Sequence, residues 1–261
     1  MSFLHRVGPV IITRPLAQAG GLVQLVTGLS REAVVFPLLE ILPLVDVSPL
    51  RTVLDDVAAY GLIIFVSPNA IDAACAVRKE WPSGLLFGVV GNGSRQTLAR
   101  HGINADNSHI VQPQDAEHQD SEGLLAALDL AALRGQRALI VRGENGREHL
   151  ADSLRTAQII VTTVAAYRRL APQLNAASRV QLQHLIRAHG DWVITSSEAL
   201  RVLLQMVREL GEPTYVSEMQ QQKLLVPHRR IAESARSLGF SDVRLAASGD
   251  SGLLAALQFG A

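Results

Sequence analysis

One short pattern occurs twice in this chain and limits what it can fold into. Gly61-Leu-Ile-Ile-Phe-Val-Ser-Pro-Asn-Ala70 starts as an apolar run, turns at Ser67, and passes into a helix-like Ile71-Asp-Ala-Ala-Cys75. The spacing predicts a buried strand, a sharp turn, and a helix with Ser67 as its cap and Pro68 as its first residue, where a missing N–H is tolerated. Asp191-Trp-Val-Ile-Thr-Ser-Ser-Glu-Ala199 repeats the pattern. Such a turn sets a hydroxyl and unpaired backbone N–H groups beyond the carboxyl end of a strand, where open parallel sheets bind ligands. Two of them facing each other across a cleft are expected to make a site for a large anion.

Further matches follow in the same order. Ser94-Arg-Gln-Thr-Leu-Ala-Arg-His-Gly102 pairs with Ile231-Ala-Glu-Ser-Ala-Arg-Ser-Leu-Gly239, and Ser121-Glu-Gly-Leu-Leu-Ala-Ala-Leu128 with Asp250-Ser-Gly-Leu-Leu-Ala-Ala-Leu257. The first and last pairs share one offset, and the middle pair differs by a short insertion. The chain therefore reads as a duplicated α/β unit. Strands are predicted at Val10, Leu62, Gly84–Gly91, Arg137–Arg142, Trp192–Thr195, Lys223–Pro227 and Val243–Ala246, alternating with helices that include Leu16–Leu29, Leu50–Tyr60 and Glu198–Leu210. That alternation predicts parallel sheets covered on both faces. A strand at Val10 has no early partner, so residues 1–36 are assigned with 173–261 to one discontinuous domain. Residues 41–163 form an inserted second domain. Residues 37–40 and 164–172 are the connectors, both extended, and are expected to pair as a two-stranded ladder.

Composition removes several classes of function. Lys plus Arg and Asp plus Glu number 24 each, so no global field draws the chain to nucleic acid or an anionic membrane. No apolar run approaches the roughly 20 residues that span a bilayer. Residues 1–7 carry no long apolar segment with a small-residue cleavage site, so a secretory signal is not expected and a cytoplasmic protein is. The lone Cys75 excludes an internal disulfide and reads as core packing. The eight histidines show no metal-ligand spacing; His5, His109, His118 and His149 read as surface residues, and no metal is expected. Val90-Gly-Asn-Gly-Ser-Arg95 lacks the third glycine of a dinucleotide fingerprint.

An ordered set of motifs is more specific. Thr13-Arg-Pro15, Pro37-Leu-Leu-Glu-Ile41, Phe65–Ala70, Val90-Gly-Asn-Gly-Ser94, Val141-Arg-Gly-Glu-Asn-Gly-Arg147, Val164-Ala-Ala-Tyr167 and Ile194-Thr-Ser-Ser197 together resemble the uroporphyrinogen-III synthase family across nearly the whole chain. The resemblance implies two flavodoxin-like, doubly wound domains on a two-stranded connector, and no cofactor; a cleft between the domains and a monomer are further expectations. It also implies the reaction: closure of the linear tetrapyrrole hydroxymethylbilane to uroporphyrinogen III with inversion of the last ring, on the way to haem.

A polyanionic bilane needs many donors. Arg14, Arg142 and Arg147 fall at predicted strand ends or helix starts, where a guanidinium pairs bidentately with a carboxylate. Ser67, Ser94, Ser196 and Ser197 fall at predicted helix N-termini, and each reads equally as a plain cap or as a ligand donor. Asn69 and Asn145 lie inside the same motifs. Tyr167 is the candidate general acid, on the return connector where the family's motif tyrosine also lies; a packed connector tyrosine is the competing reading. One turn departs from the family pattern. Val226-Pro-His-Arg-Arg-Ile231 lacks the threonine hydroxyls many members carry there, so either Arg229 and Arg230 bind carboxylates by charge or the turn has left the site. Without the resemblance, a hinge-closing two-lobed anion-binding or regulatory protein fits the same pattern.

Overall fold

The computed structural model describes residues 8–115, 119–146 and 148–258. Its chain divides into two compact units, Met1–Glu40 with Leu170–Ala261, and Ile41–Arg169. The first unit opens with β1 (Val10–Ile12), α1 (Leu16–Gly28) and β2 (Ala33–Val35). The chain then builds β3 (Glu40–Pro43), α2 (Ser48–Asp55), β4 (Leu62–Phe65), α3 (Pro68–Val77), β5 (Leu86–Val89), α4 (Asn92–Arg100), β6 (His109–Val111), α5 (Ser121–Ala127), β7 (Arg137–Gly143), α6 (His149–Thr156) and β8 (Ile160–Leu170). It completes the first unit with α7 (Ala176–Arg187), β9 (Asp191–Val193), α8 (Ser197–Glu209), α9 (Pro213–Gln220), β10 (Lys223–Val226), α10 (Arg229–Ser237), β11 (Asp242–Leu245) and α11 (Gly249–Gln258).

Each unit holds one sheet. The first is ordered β2-β1-β9-β10-β11 and is parallel throughout. The second is ordered β3-β8-β7-β4-β5-β6 and is parallel from β8 to β6. Setting β3 aside, the two orders are the same doubly wound arrangement, 2-1-3-4-5. The segment β4-α3-β5-α4-β6-α5 corresponds to β9-α8-β10-α10-β11-α11, and β7-α6-β8 corresponds to β1-α1-β2. The strand pair that begins the chain in one unit comes last in the other.

Why these segments form central strands is visible in how they bury. Along β1, Ile11 packs into one apolar layer while Val10 and Ile12 pack into the opposite one. Along β4, Ile63 and Phe65 face one layer and Leu62 and Ile64 the other. Alternation sends successive side chains to opposite faces, and both faces here are covered by helices, so the strands are apolar without interruption.

The sequence repeat coincides with structure down to the helix ends. Ser67 caps α3 by accepting from the Ala70 N–H, and Ser196 caps α8 by accepting from the Ala199 N–H. Gly102 and Gly239 follow α4 and α10 with φ of 77° and 89°, left-handed conformations that glycine adopts without a Cβ penalty. In both, the next residue (Ile103, Phe240) donates its N–H five residues back and buries its side chain, a Schellman ending.

Several expectations need correction. The predicted Leu50–Tyr60 helix ends at Asp55, and a short 3-10 turn covers Val57–Ala59. Between β2 and β3 the chain passes from one sheet to the other: β2 pairs with β1, and β3 neighbours β8. Val164–Leu170 continues β8, which stays paired with β7 as far as Tyr167. His109, read as a surface residue, opens β6 and is exposed. Helix α9 was not anticipated; Gly211, with φ of 91°, and Pro213 at its first turn mark its start. Among the described residues no helix is long and apolar enough to cross a membrane.

Candidate functional site

Within each sheet, the chain leaves two neighbouring strands in opposite directions at one place, β7/β4 in the second unit and β1/β9 in the first. Open parallel sheets bind ligands at such a place, beyond the carboxyl edge of the strands. The sequence candidates gather at these edges. In the first unit Arg14 follows β1, Ser196 and Ser197 follow β9, and Arg229 follows β10. Thr13, 2% exposed, donates through Oγ1 to the Val193 carbonyl at 2.6 Å and closes the edge between β1 and β9.

In the second unit Ser67 and Asn69 follow β4, Ser94 follows β5, Asn145 follows β7, and Tyr167 lies near the carboxyl end of β8. Tyr167 is 5% exposed, packed with Val164 and Ala166 in the apolar layer that also holds Phe65 and Val141. Its hydroxyl is 3.1 Å from Ser67 Oγ. The residue thus belongs to a sheet strand and its core rather than to a free connector, and its polar end meets the capped turn of α3.

The cationic candidates are partnered. Arg14 Nη1 is paired with Asp250 in the first turn of α11. Arg142 Nη2 is paired with Glu148, just before α6. Neither aspartate nor glutamate partner was singled out from sequence, because ion pairs 236 and 6 residues apart leave no shared periodicity to read. Arg147 lies outside the described residues, as do His5 and His118. Arg229 is exposed at the first position of α10.

The serines divide by role. Ser67 and Ser196 are helix caps whose hydroxyls stay part-buried at the strand edge. Ser197 Oγ lies 3.1 Å from Ser234 Oγ, which in turn donates to the Arg230 carbonyl. Ser94 is 3% exposed and sits in the first turn of α4, whose N-cap is Gly91. Asn145 is exposed, and its carbonyl accepts from Arg169 Nη2 at 2.8 Å. Asn69 is half-buried in the first turn of α3. Two residues went unnoticed in the sequence. Gln119 places Oε1 3.3 Å from the Asn92 N–H and so covers the start of α4. Gly143 lies directly beneath the Tyr167 ring.

Among the described residues no group of three or more His, Cys, Asp or Glu side chains is placed to hold a metal ion. What the edges offer is hydroxyl and backbone N–H donors, guanidinium groups held by internal carboxylates, and one phenol. Groups of these types can hydrogen-bond carboxylates and can give up a proton.

Two doubly wound flavodoxin-like units with donor-lined carboxyl edges define a class of α/β protein. A family model described as uroporphyrinogen-III synthase HemD matches residues 21–254. The chain is 31% identical over 257 residues to the uroporphyrinogen-III synthase of Escherichia coli strain K12, covering 95% of this chain and 99% of that one. It is 30% identical over 254 residues to the Salmonella typhimurium uroporphyrinogen-III synthase, with the same coverage. Among solved structures, a mutant uroporphyrinogen III synthase from the extremely thermophilic bacterium Thermus thermophilus superposes with a TM-score of 0.62 at 13% identity, over 96% of this chain and 98% of that one. The uroporphyrinogen-III synthetase of Helicobacter pylori 26695 gives 0.61 at 10% identity, over 97% and 99%. The chain belongs to the uroporphyrinogen-III synthase family, which does not favour the anion-binding or regulatory alternative.

Proposed function

We propose that this chain closes hydroxymethylbilane to uroporphyrinogen III in the cytoplasm, with loss of water and inversion of ring D through a spiro intermediate, on the route to haem. Family membership supports the reaction. The observation that carries the residue-level reading is the Tyr167 hydroxyl seated against the Ser67 cap at the carboxyl edge of the second sheet.

In this reading Tyr167 gives its proton to the hydroxymethyl oxygen, the C–O bond breaks, and water leaves a conjugated cation on the first ring. The substituted α-carbon of ring D supplies the electron pair for the new C–C bond and forms the spiro centre. That centre fragments, and the ring recloses through its other α-carbon, which sheds a proton. Water is the only net product besides the macrocycle. The bilane closes in water without inversion, so the protein's main contribution is orientation of its two ends.

Each unit offers carboxylate arms its own donors: the first turns of α8 and α10 with Arg14 and Arg229 in the first, and the first turns of α3 and α4 with Arg142 and Arg147 in the second. Because Arg14 and Arg142 already sit against Asp250 and Glu148, a substrate carboxylate exchanges for an internal one instead of neutralising a bare cation. Neither guanidinium is therefore buried without a countercharge.

Purified protein incubated with freshly made hydroxymethylbilane is expected to yield the type III isomer in excess over the type I isomer formed without protein. Isomer ratios equal to the protein-free control would overturn the proposal. Tyr167→Phe is expected to lower kcat by about tenfold to a hundredfold without abolishing turnover, since positioning is retained. A monomer is the expected active species, so the rate per chain is expected to be independent of protein concentration.

A further inference from the structure

We infer that Ser67 and Gly143 are positioning residues for Tyr167: Ser67 donates its own proton to the Tyr167 oxygen, and the bare backbone of Gly143 lets the ring lie where that bond forms. This rests on the proposed acid role of Tyr167. Three independent features of the second unit converge on the one hydroxyl.

The first is a β-bulge. Along the β7–β8 ladder Arg142 is opposite Ala165, but Gly143 is opposite Tyr167, so one residue is extra on β8. Strict alternation after the buried Val164 and Ala166 would send residue 167 to the other face. The bulge instead puts Ala166 and Tyr167 into the same apolar layer as Val164. A one-residue irregularity thereby decides which side of the sheet the phenol occupies.

The second is the absence of a side chain at 143. A β-carbon there would lie 3.0 Å from Tyr167 Cζ, 3.1 Å from Cε2 and 3.3 Å from the hydroxyl oxygen. Those separations are tighter than ordinary contact, so any larger residue must push the ring and its oxygen aside.

The third is the polarity of the hydroxyl pair. A serine hydroxyl has one proton and two acceptor sites. Ser67 Oγ accepts from the Ala70 N–H at 3.3 Å, and among the described residues its only other partner is Tyr167, at 3.1 Å. Either hydroxyl can donate across this pair; accepting from the Ala70 N–H at the positive end of α3 polarises the Ser67 O–H toward donating. With Ser67 donating, the Tyr167 proton stays available for the leaving hydroxyl. After transfer, the O–H bond of Tyr167 has broken, water carries its proton, and the phenolate oxygen is met by the Ser67 O–H. The proton shed when the macrocycle recloses restores the phenol, so the cycle balances with no further reactant.

Turnover of freshly made hydroxymethylbilane by Ser67→Ala, Ser67→Thr, Ser67→Asp, Gly143→Ala and Tyr167→Phe, with the double variants, tests this, each protein's thermal midpoint being recorded. Ser67→Ala and Gly143→Ala are expected to lower kcat about five- to tenfold with KM nearly unchanged. Ser67→Thr is expected to restore most of the rate, since it keeps the hydroxyl. Aspartate caps a helix as well as serine but cannot donate when ionised, so Ser67→Asp is expected to stay folded and still lose rate. In the Tyr167→Phe background neither Ser67→Ala nor Gly143→Ala is expected to cost anything more. Equal losses in both backgrounds, or parental kcat for Ser67→Asp, overturn the inference while leaving Tyr167 as the acid. Parental kcat for Tyr167→Phe removes the acid role itself, and the inference with it.

Discussion

At Asp191 a single carboxylate, 5% exposed, holds two cations: Arg31 Nη1 at 2.7 Å and Lys223 Nζ at 2.9 Å. Arg31 also donates to the Gly8 carbonyl at 2.7 Å. The cluster ties β1, β9 and β10 at their amino ends, away from the ligand-facing edge. Asp191→Ala leaves two cations without their shared anion, so a loss of about 3–5 kcal/mol is expected, read from the urea midpoint. Cys75 makes a different point. Burial pushes its thiol up to about 11, with the nearby Asp72 charge adding to the rise and a Trp81 contact opposing it. An unfolded chain loses that proton near about 8.5. The native state therefore binds more protons between those values, and stability falls as pH rises through that window. Unfolding midpoints are expected to decline from about pH 8.5 to about pH 11 in the parent, and to decline less in Cys75→Ala.

The elements show how much a repeated sequence can say. Ser67 and Ser196 were legible as caps because the helix-start pattern is local, and Gly102 and Gly239 stand at matching ends because a left-handed C-terminal residue favours glycine in both copies. Those two glycines are not equivalent in their surroundings. A β-carbon at 102 meets nothing, whereas one at 239 would fall 2.5 Å from Gln220 Nε2, which holds the Leu238 carbonyl at 2.8 Å. Gly102→Ala is expected to cost about 1–2 kcal/mol from backbone strain alone. Gly239→Ala is expected to cost more than Gly102→Ala, because it also displaces that side chain; chemical denaturation of the pair checks the order. Helix α9 escaped notice because eight residues with weak amphipathic pattern resemble a loop until Tyr215 and Met219 are seen buried.

For the whole molecule, the useful fact is that the two tryptophans are divided between the units. Trp81 packs edge-on against Phe65 and Phe87 in the second unit, with centroids 5.9 and 5.7 Å away. Trp192 is fully buried in the first. Each unit carries its own apolar layers, so each can lose stability on its own account. In Trp81→Phe the remaining fluorescence change is expected to follow Gly239→Ala, and in Trp192→Phe it is expected to follow Gly102→Ala. Coincident shifts of both reporters by either glycine substitution would show that the units unfold as one.

Sequence alone determined the alternating strands and helices, the duplication, the two serine caps and the family, because each is written in short-range periodicity or in the order of motifs. It did not determine that β8 runs on through Val164–Leu170, that Arg14 and Arg142 are matched by Asp250 and Glu148, or that Tyr167 turns inward. Those depend on which strands lie side by side. The clearest case is the one-residue bulge opposite Gly143: nothing in the spacing of Val164-Ala-Ala-Tyr167 reveals it, yet it selects the face of the sheet on which the phenol stands. Register between strands is a tertiary property, and the direction of a side chain follows from it.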